Sequence, residues 1–572
     1  MVSPPGYNGR VKRQSILAAA SIMTVAALLS RVLGWVRERA VGHFWGPTGH
    51  TDAYLAAFGV PDLLYYLLAG GALGAAIIPV FAGYLVRREE KEAWRITNTL
   101  VTLFGLCAAA GILIIIVFAP QFVTLVAPGF ASKRGHTAVM ECAGYVRLLA
   151  PMVFFTVLSA LFTAILQSHR HFTAPALAWL VYNFGIIAGA FVGGGWVARR
   201  YHSDELGLQV LCTGVVAGAF LLVAVQLPSA LARGFRFRPA LDLRHPGVRE
   251  VVRLFLPAMA GLAFTQLSLL WLPSFFGSYF QEGAITSLRF ANRVVVLPLG
   301  LFGIAISTAA FPVMAELAAE GRIDEFRRLV SGSLRVVFFL GVPSAAAMIA
   351  LAGPMLRLLW KTGKMGEAGI TMSEFCLLYY AVSLIGISAL QILNRAFYSL
   401  KDVRTPALVG IGYTLLIAAG TIALMRAHSP LQYAGIAAAT SVGVTIGMAA
   451  TFWLLRKRLG RIDGGVVAAS LARIVAASAL AAVAAYFVSA WTGQRWGLLA
   501  TRFWAGAPDL ASVATAQQGS IARVGAQVVA SLAVGMATYL LALSLMGAPE
   551  IATFRSAIHR RLSARTQTAP IA

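Results

Sequence analysis

The chain has 572 residues, 59% of them hydrophobic and 12% charged, whereas soluble domains carry about 25% charged residues. With a mean hydropathy of +0.76, this composition excludes an ordinary soluble enzyme and indicates a polytopic membrane protein. A net charge of +25 raises nucleic acid as a partner, but no basic module with interleaved aromatics is present.

The first apolar run, near 16–36, follows Arg10, Lys12 and Arg13 and invites comparison with a signal peptide. At about 20 residues it exceeds the usual h-region of 7–15, and Ser30-Arg-Val-Leu-Gly stands where a small-residue cleavage site belongs, so it reads as a retained span. Further runs follow near 52–85, 96–119, 142–167, 172–197, 206–231, 250–277, 284–314, 331–360, 373–400, 404–426, 431–455, 466–493 and 520–547. Each is long enough to cross hydrocarbon, which takes about 20 residues. Backbone polar groups inside lipid must be satisfied within each segment. The expected fold is therefore an all-α membrane protein of about fourteen transmembrane helices.

Loop charges orient these spans. Basic groups such as Arg87/Arg88/Lys91/Arg95, Arg322/Arg327/Arg328, Arg456/Lys457/Arg458/Arg461 and Arg555/Arg560/Arg561/Arg565 recur on alternate loops. Roughly 26 Lys and Arg fall on one side against about 11 on the other, which makes the richer side cytoplasmic and places both termini there.

Gly70-Gly-Ala-Leu-Gly-Ala-Ala-Ile-Ile-Pro-Val-Phe-Ala82 is matched by Phe302-Gly-Ile-Ala-Ile-Ser-Thr-Ala-Ala-Phe-Pro-Val-Met-Ala315. Pro120 and Gly129 likewise answer to Pro354 and Gly363, and Pro175 to Pro406, all displaced by 231 to 234 residues. One unit has been duplicated. A displacement that carries spans 2, 3 and 5 onto 8, 9 and 11 makes the unit six helices, so the copies are parallel repeats about the membrane normal, as in transporters. The expected organisation is an N-terminal lobe at 1–240, a C-terminal lobe at 241–462, and an extra helix pair at 463–572 with a basic cytoplasmic tail.

Chemistry-bearing motifs are scarce. Cys107, Cys142, Cys212 and Cys376 are scattered without metal or redox spacing, the nine histidines lie outside the apolar centres, and no phosphate-binding Gly-x-x-x-x-Gly-Lys loop exists. No metal, cofactor or covalent chemistry is expected. The informative polar residues are those within spans: Arg31 and Arg37 in span 1, Asp52 and Asp62 in span 2, Arg147 in span 4, Gln266 in span 7, and Arg289 and Arg293 in span 8. Each Arg or Asp at a helix centre costs about 2.5–3.5 kcal/mol, so these groups face water or a partner. One reading pairs the arginines with Glu38, Asp52 or Asp62, or lets them reach the interface. The other places Arg31, Arg37 and Arg293, from the opening helices of the two repeats, around a cavity where guanidinium forks take an anion.

Ser30-Arg-Val-Leu-Gly-Trp-Val-Arg-Glu38, Thr51-Asp-Ala-Tyr-Leu-Ala-Ala-Phe-Gly-Val-Pro-Asp-Leu-Leu64, Ala127-Pro-Gly-Phe130 and Arg395-Ala-Phe-Tyr-Ser-Leu-Lys-Asp-Val-Arg-Thr-Pro406 resemble the signature stretches of the MurJ (MviN) lipid II flippases. That family belongs to the multidrug/oligosaccharidyl-lipid/polysaccharide exporter superfamily, and the resemblance runs from about 16 to 547. It implies two six-helix lobes, a further helix pair whose groove takes the lipid tail, and transport rather than catalysis. It also implies the bacterial inner membrane, with lipid II, membrane lipids and cell wall synthesis proteins as partners. Carried over residue by residue, the headgroup set is Arg31, Arg37, Arg293 and Asp52, with Asn292 at a position where the family usually has Asp. Tyr65, Tyr66 and Gly70 stand where the family usually has two arginines and a glutamate. Some relatives hold sodium among acids of spans 7 and 11; past Glu250 at its mouth, the 250–277 run, like 404–426, has no Asp or Glu. Without that site, the membrane potential becomes the expected driving force. Two alternatives remain at this stage: an exporter of another lipid-linked saccharide or of drugs, and a non-transporting membrane scaffold.

Overall fold

The computed structural model describes residues 9–69, 72–169, 171–266, 271–427, 429, 431–460, 464–493, 521–548 and 551, and every regular element among them is helical. Two compact units are present: Met1–Thr286 with Thr362–Met365, and Ser287–Lys361 with Gly366–Ala572. The first contains α1 (Gly9–Phe44), α2 (Gly49–Leu68), α3 (Ala72–Val86), α4 (Glu90–Val117), α5 (Ala119–Val126), α6 (His136–Leu149), α7 (Met152–Ser168), α8 (Thr173–Ala190), α9 (Ala198–Tyr201), α10 (Asp204–Leu231), α11 (Pro246–Gln266) and α12 (Leu272–Gly277). It also takes the first turn of α13 (Ala284–Pro298). The second contains the rest of α13, then α14 (Ala305–Ala319), α15 (Ile323–Ala350), α16 (Ala352–Trp360), α17 (Gly366–Ser399), α18 (Arg404–Arg426), α19 (Ala434–Leu459), α20 (Gly464–Gly493) and α21 (Ile521–Leu545).

Eleven helical stretches among the described residues are long and apolar enough to cross a membrane, matching expected spans 3–6 and 8–14. The remaining three expected spans fall on α1, on α2 with α3, and on α11 with α12. These carry charges within the run: Arg31, Arg37, Glu38 and Arg39 in α1, Asp52 and Asp62 in α2, and Arg249, Glu250 and Arg253 in α11. The full count of fourteen rests on them. Pro79 and Pro312, which answer each other in the matched stretches, lie inside the unbroken helices α3 and α14. The division of span 2 falls between Leu68 and Ala72, around Gly70 and Gly71, which lie outside the described residues.

The compact units part after Thr286, beyond residue 240, where the sequence reading expects the N-terminal lobe to end. The reason is burial: Val248, Val251 and Phe255 of α11 enter the same apolar cluster as Leu73 and Ile77 of α3 and Leu100 and Phe104 of α4, with Phe104 and Phe255 edge to face at 5.3 Å. Elsewhere in the first unit, α8 meets α10 through glycines. A Cβ on Gly185 would lie 2.5 Å from the Gly218 Cα, and one on Gly189 would lie 2.8 Å from the Gly214 Cα. Small residues spaced by four let two backbones approach closely where no hydrophobic force drives association within lipid. This seam holds α8 rigidly, which matters for the polar side chain on its other face.

In the second unit one cluster unites α15, α17, α20 and α21, including Val337, Phe338, Ile392, Ile474 and Tyr539. The Tyr539 hydroxyl donates to the Phe339 carbonyl at 2.7 Å, and Gln527 Nε2 donates to the Ser489 carbonyl at 2.8 Å. The first bond fastens α21 to α15 and the second joins α21 to α20, so the C-terminal helix pair is tied to this unit by a buried hydrogen bond as well as by packing.

Candidate functional site

Two of the expected cargo arginines share α1 but stand in different environments. Arg31 is exposed and makes no hydrogen bond or ion pair with the described residues. Arg37 is anchored: Nη2 donates to Glu38 Oε1 at 2.9 Å and Nη1 to Asn183 Oδ1 at 3.4 Å. Glu38 is buried, so the pairing foreseen as the alternative for Arg37 is present. A guanidinium has five N–H donors, and these contacts engage two of them. In the second unit, Arg293 and Asn292 are half-buried on α13, with Asn292 beside the Tyr380 hydroxyl. Arg147 donates from Nε to the Ile116 carbonyl at 3.2 Å, a structural role.

Asp52 is fully buried and its oxygens are taken by the protein. Oδ1 accepts from the Thr286 backbone N–H at 2.8 Å and the Thr286 hydroxyl at 2.7 Å, while Oδ2 accepts from the Gly283 N–H at 2.8 Å and Arg134 Nη2 at 2.9 Å. The carboxylate therefore caps the N-terminus of α13, where unpaired N–H groups and the helix dipole favour negative charge. The sequence separations of these contacts, 231 and 234 residues, equal the repeat displacement. The start of α2 and the start of α13, equivalent positions in the two repeats, thus meet each other directly. Gly49 repeats the pattern, its N–H donating to Glu282 Oε2 at 3.2 Å.

Two further contacts flank this point and answer each other by the same displacement. A Cβ on Gly129 would lie 2.3 Å from the Ser278 carbonyl carbon, and the Gly129 N–H donates to Ser278 Oγ at 2.9 Å. A Cβ on Gly363, its repeat partner, would lie 2.1 Å from the His43 carbonyl oxygen, and Gly363 has φ +51, the left-handed region that favours glycine. Next to it, Lys364 Nζ lies 2.7 Å from both Asp204 oxygens. All of these residues belong to the first unit, and together they make a clasp of roughly two-fold form.

A cavity of about 760 Å³ opens beside the clasp, lined by His43, His50, His202, Asp204, Glu205 and Lys364 among others. His50 bonds Glu141 at 2.6 Å, and this hydrogen bond raises its pKa above the ordinary imidazole value. Among the described residues no group of His, Cys, Asp and Glu is placed to hold a metal ion.

Sequence reasoning did not find Asn183, Arg134, Thr286, Glu282 or the Lys364–Asp204 pair. A signal for the clasp was present: Gly129 and Gly363 were already paired by the repeat, and glycines at equivalent turns mark close backbone approach. Nothing in the sequence signalled Asn183.

The sequence profile of the family described as Lipid II flippase MurJ matches residues 42–503. Lipid II flippase MurJ of Burkholderia cenocepacia is 28% identical over 444 residues, covering 77% of this chain and 84% of that protein. Probable lipid II flippase MurJ of Vibrio cholerae is 28% identical over 446 residues, covering 76% and 82%. Among solved structures, "Lipid II flippase MurJ, inward closed conformation" superposes with a TM-score of 0.71 at 19% identity, covering 92% of this chain and 99% of that one. An inward-facing multidrug resistance MATE family transporter of the MOP superfamily gives 0.62 at 14% identity, over 78% and 99%. These two likenesses establish the shared fold. With the family profile spanning most of its length, the chain belongs to the lipid II flippase MurJ family.

Proposed function

We propose that this chain flips lipid II from the cytoplasmic to the outer leaflet of the bacterial inner membrane for cell wall synthesis, by alternating access. It is a multi-pass transporter and not an enzyme. The observation that carries the reading is the state of α1: Arg31 exposed and unengaged among the described residues, and Arg37 anchored with three N–H donors to spare. Such forks suit the oxygens of a lipid pyrophosphate. Arg293 completes the set in this reading, with Asn292 contacting the saccharide, and the α20–α21 pair carries the prenyl tail. The alternatives of a drug exporter or a scaffold are not favoured, because the family and its curated relatives carry the flippase name. Rescue of a bacterium depleted of its own flippase tests the proposal, and failure of rescue despite normal membrane insertion would overturn it.

We assign Asp52 to the outer gate rather than to the cargo, since its lone pairs are spent on α13 and Arg134. Release of cargo then requires the clasp to open. Asp52→Asn leaves Arg134 without its counter-charge, and removing one partner of a buried pair costs about 3–5 kcal/mol, so the closed clasp is expected to lose most of its population. A cysteine replacing the buried Ser278, in a chain freed of its native cysteines, reports this with a membrane-impermeant maleimide: labelling is slow in the parent and many-fold faster with Asp52→Asn. Equal rates would remove Asp52 from the gate.

The loop charges place both termini in the cytoplasm. Cysteines in 316–328 and 456–463 are expected to react only with reagent that enters the cell, and those in 494–518 with reagent added outside. Labelling of 456–463 from outside would invalidate the fourteen-span topology.

A further inference from the structure

Asn183 is 5% exposed on a membrane helix, and a buried amide is costly unless its donors and acceptor are engaged. Its Nδ2 donates to the Trp179 carbonyl of its own helix at 2.9 Å and to Ser30 Oγ at 3.3 Å, while Oδ1 accepts from Arg37 Nη1 at 3.4 Å. A carbonyl can only accept, so the Trp179 contact decides which way the amide faces: NH₂ toward Trp179, oxygen toward Arg37. Ser30 and Arg37 lie seven residues apart, two turns along one face of α1. One side chain of α8 therefore touches α1 at two levels, which defines both the rotation of α1 and its axial register. The glycine seam with α10 keeps α8 itself in place.

From this geometry we infer that Asn183 is a positioning residue for the anion fork of α1. The inference rests on the reading that Arg37 grips the lipid pyrophosphate. Asn183 orients the Nη1 edge of Arg37 while Glu38 holds the Nη2 edge, so the donors that remain point in one direction. Through Ser30 the same pin sets the azimuth of Arg31, the next residue. The choice of amide over carboxylate has a physical reason. An aspartate at 183 would put a second carboxylate beside Arg37, whose charge Glu38 already balances, and the added negative charge would repel an anion, whereas an amide orients the fork without adding charge.

The test measures binding of undecaprenyl pyrophosphate and undecaprenyl phosphate to the purified full chain, with unfolding temperature followed in parallel. Asn183→Ala is expected to weaken pyrophosphate binding about tenfold or more, the worth of one hydrogen bond to a charged group. It should also lower the preference for pyrophosphate over monophosphate, which a merely structural role would leave unchanged. In an Arg37→Ala background the same substitution should cost much less, because only its smaller effect through Ser30 on Arg31 is left. Asn183→Asp, which keeps the shape, is expected to weaken binding at least as much, and it carries the test should the alanine variant fail to fold. Equal losses with and without Arg37, or an unchanged pyrophosphate preference, would overturn the positioning role while leaving Arg37 as a cargo residue. If Arg37→Ala itself leaves binding unchanged, the reading beneath this inference fails, and the inference falls with it.

Discussion

Arg31→Ala is expected to abolish lipid II flipping while the protein still inserts in the membrane. Arg31 makes no hydrogen bond or ion pair with the described residues, so its loss takes little from the fold and much from whatever anion it meets. A charge-assisted hydrogen bond is worth about 1.5–3 kcal/mol, so losing a bidentate pair costs at least about a hundredfold in affinity. Arg37→Ala and Arg293→Ala are expected to impair transport severely as well. Arg37→Ala should also lower stability, because it removes the ion pair that Arg37 makes with the buried Glu38. Arginine to lysine at each position should rescue poorly, since an ammonium point charge does not reproduce the planar fork. Growth complementation with a membrane-fraction blot checks all six variants. Full growth of the three alanine variants would mean that the cationic site is not where the cargo binds.

Flipping by the reconstituted protein is expected to respond to membrane potential and to be indifferent to replacing sodium with potassium at constant potential. The physical basis is what α11 and α18 lack: past Glu250 near its start α11 offers no carboxylate, and α18 has none along its length. A lipid pyrophosphate carries about two negative charges, and each moving outward through an inside-negative potential gains about 2.3 kcal/mol per 100 mV. About 4.6 kcal/mol is more than a thousandfold in an equilibrium ratio, enough to set the direction of net flow without an ion partner. The measurement is flipping of labelled lipid II in liposomes under an imposed potassium diffusion potential. A requirement for sodium or for a pH gradient, with no response to potential, would reassign coupling to carboxylates. Asp62 would then be the better candidate, because Asp52 is enclosed by Thr286, Gly283 and Arg134.

The family departures take a concrete form in the structure. Tyr65 and Tyr66, standing where arginines are usual, have ring centroids 5.3 Å apart and are half-buried on α2. On the proposed reading, the positive charge they omit leaves Arg31 and Arg37 of α1 a larger share of the grip on the headgroup in this unit. The pin at Asn183 bears on that share, since two forks do the work of more only if they are held at the right angle.

Membrane residence, helical content and most span limits were legible in the amino-acid order alone. Each depends on local quantities: the apolar length of a segment and the need of its backbone to bond within itself. Even the clasp left a trace, because Gly129 and Gly363 sit at equivalent turns where backbones touch. What sequence could not assign was the allegiance of each charge. Arg31 and Arg37 are six residues apart on one helix, yet one is exposed and the other is tied to Glu38 and to Asn183, 146 residues away. Asp52 reads like a cavity acid, but partners 82, 231 and 234 residues distant turn it into a helix cap. Whether a buried charge serves the protein or its cargo depends on which donors and acceptors arrive within about 3 Å of it, and at these separations only the tertiary fold decides that.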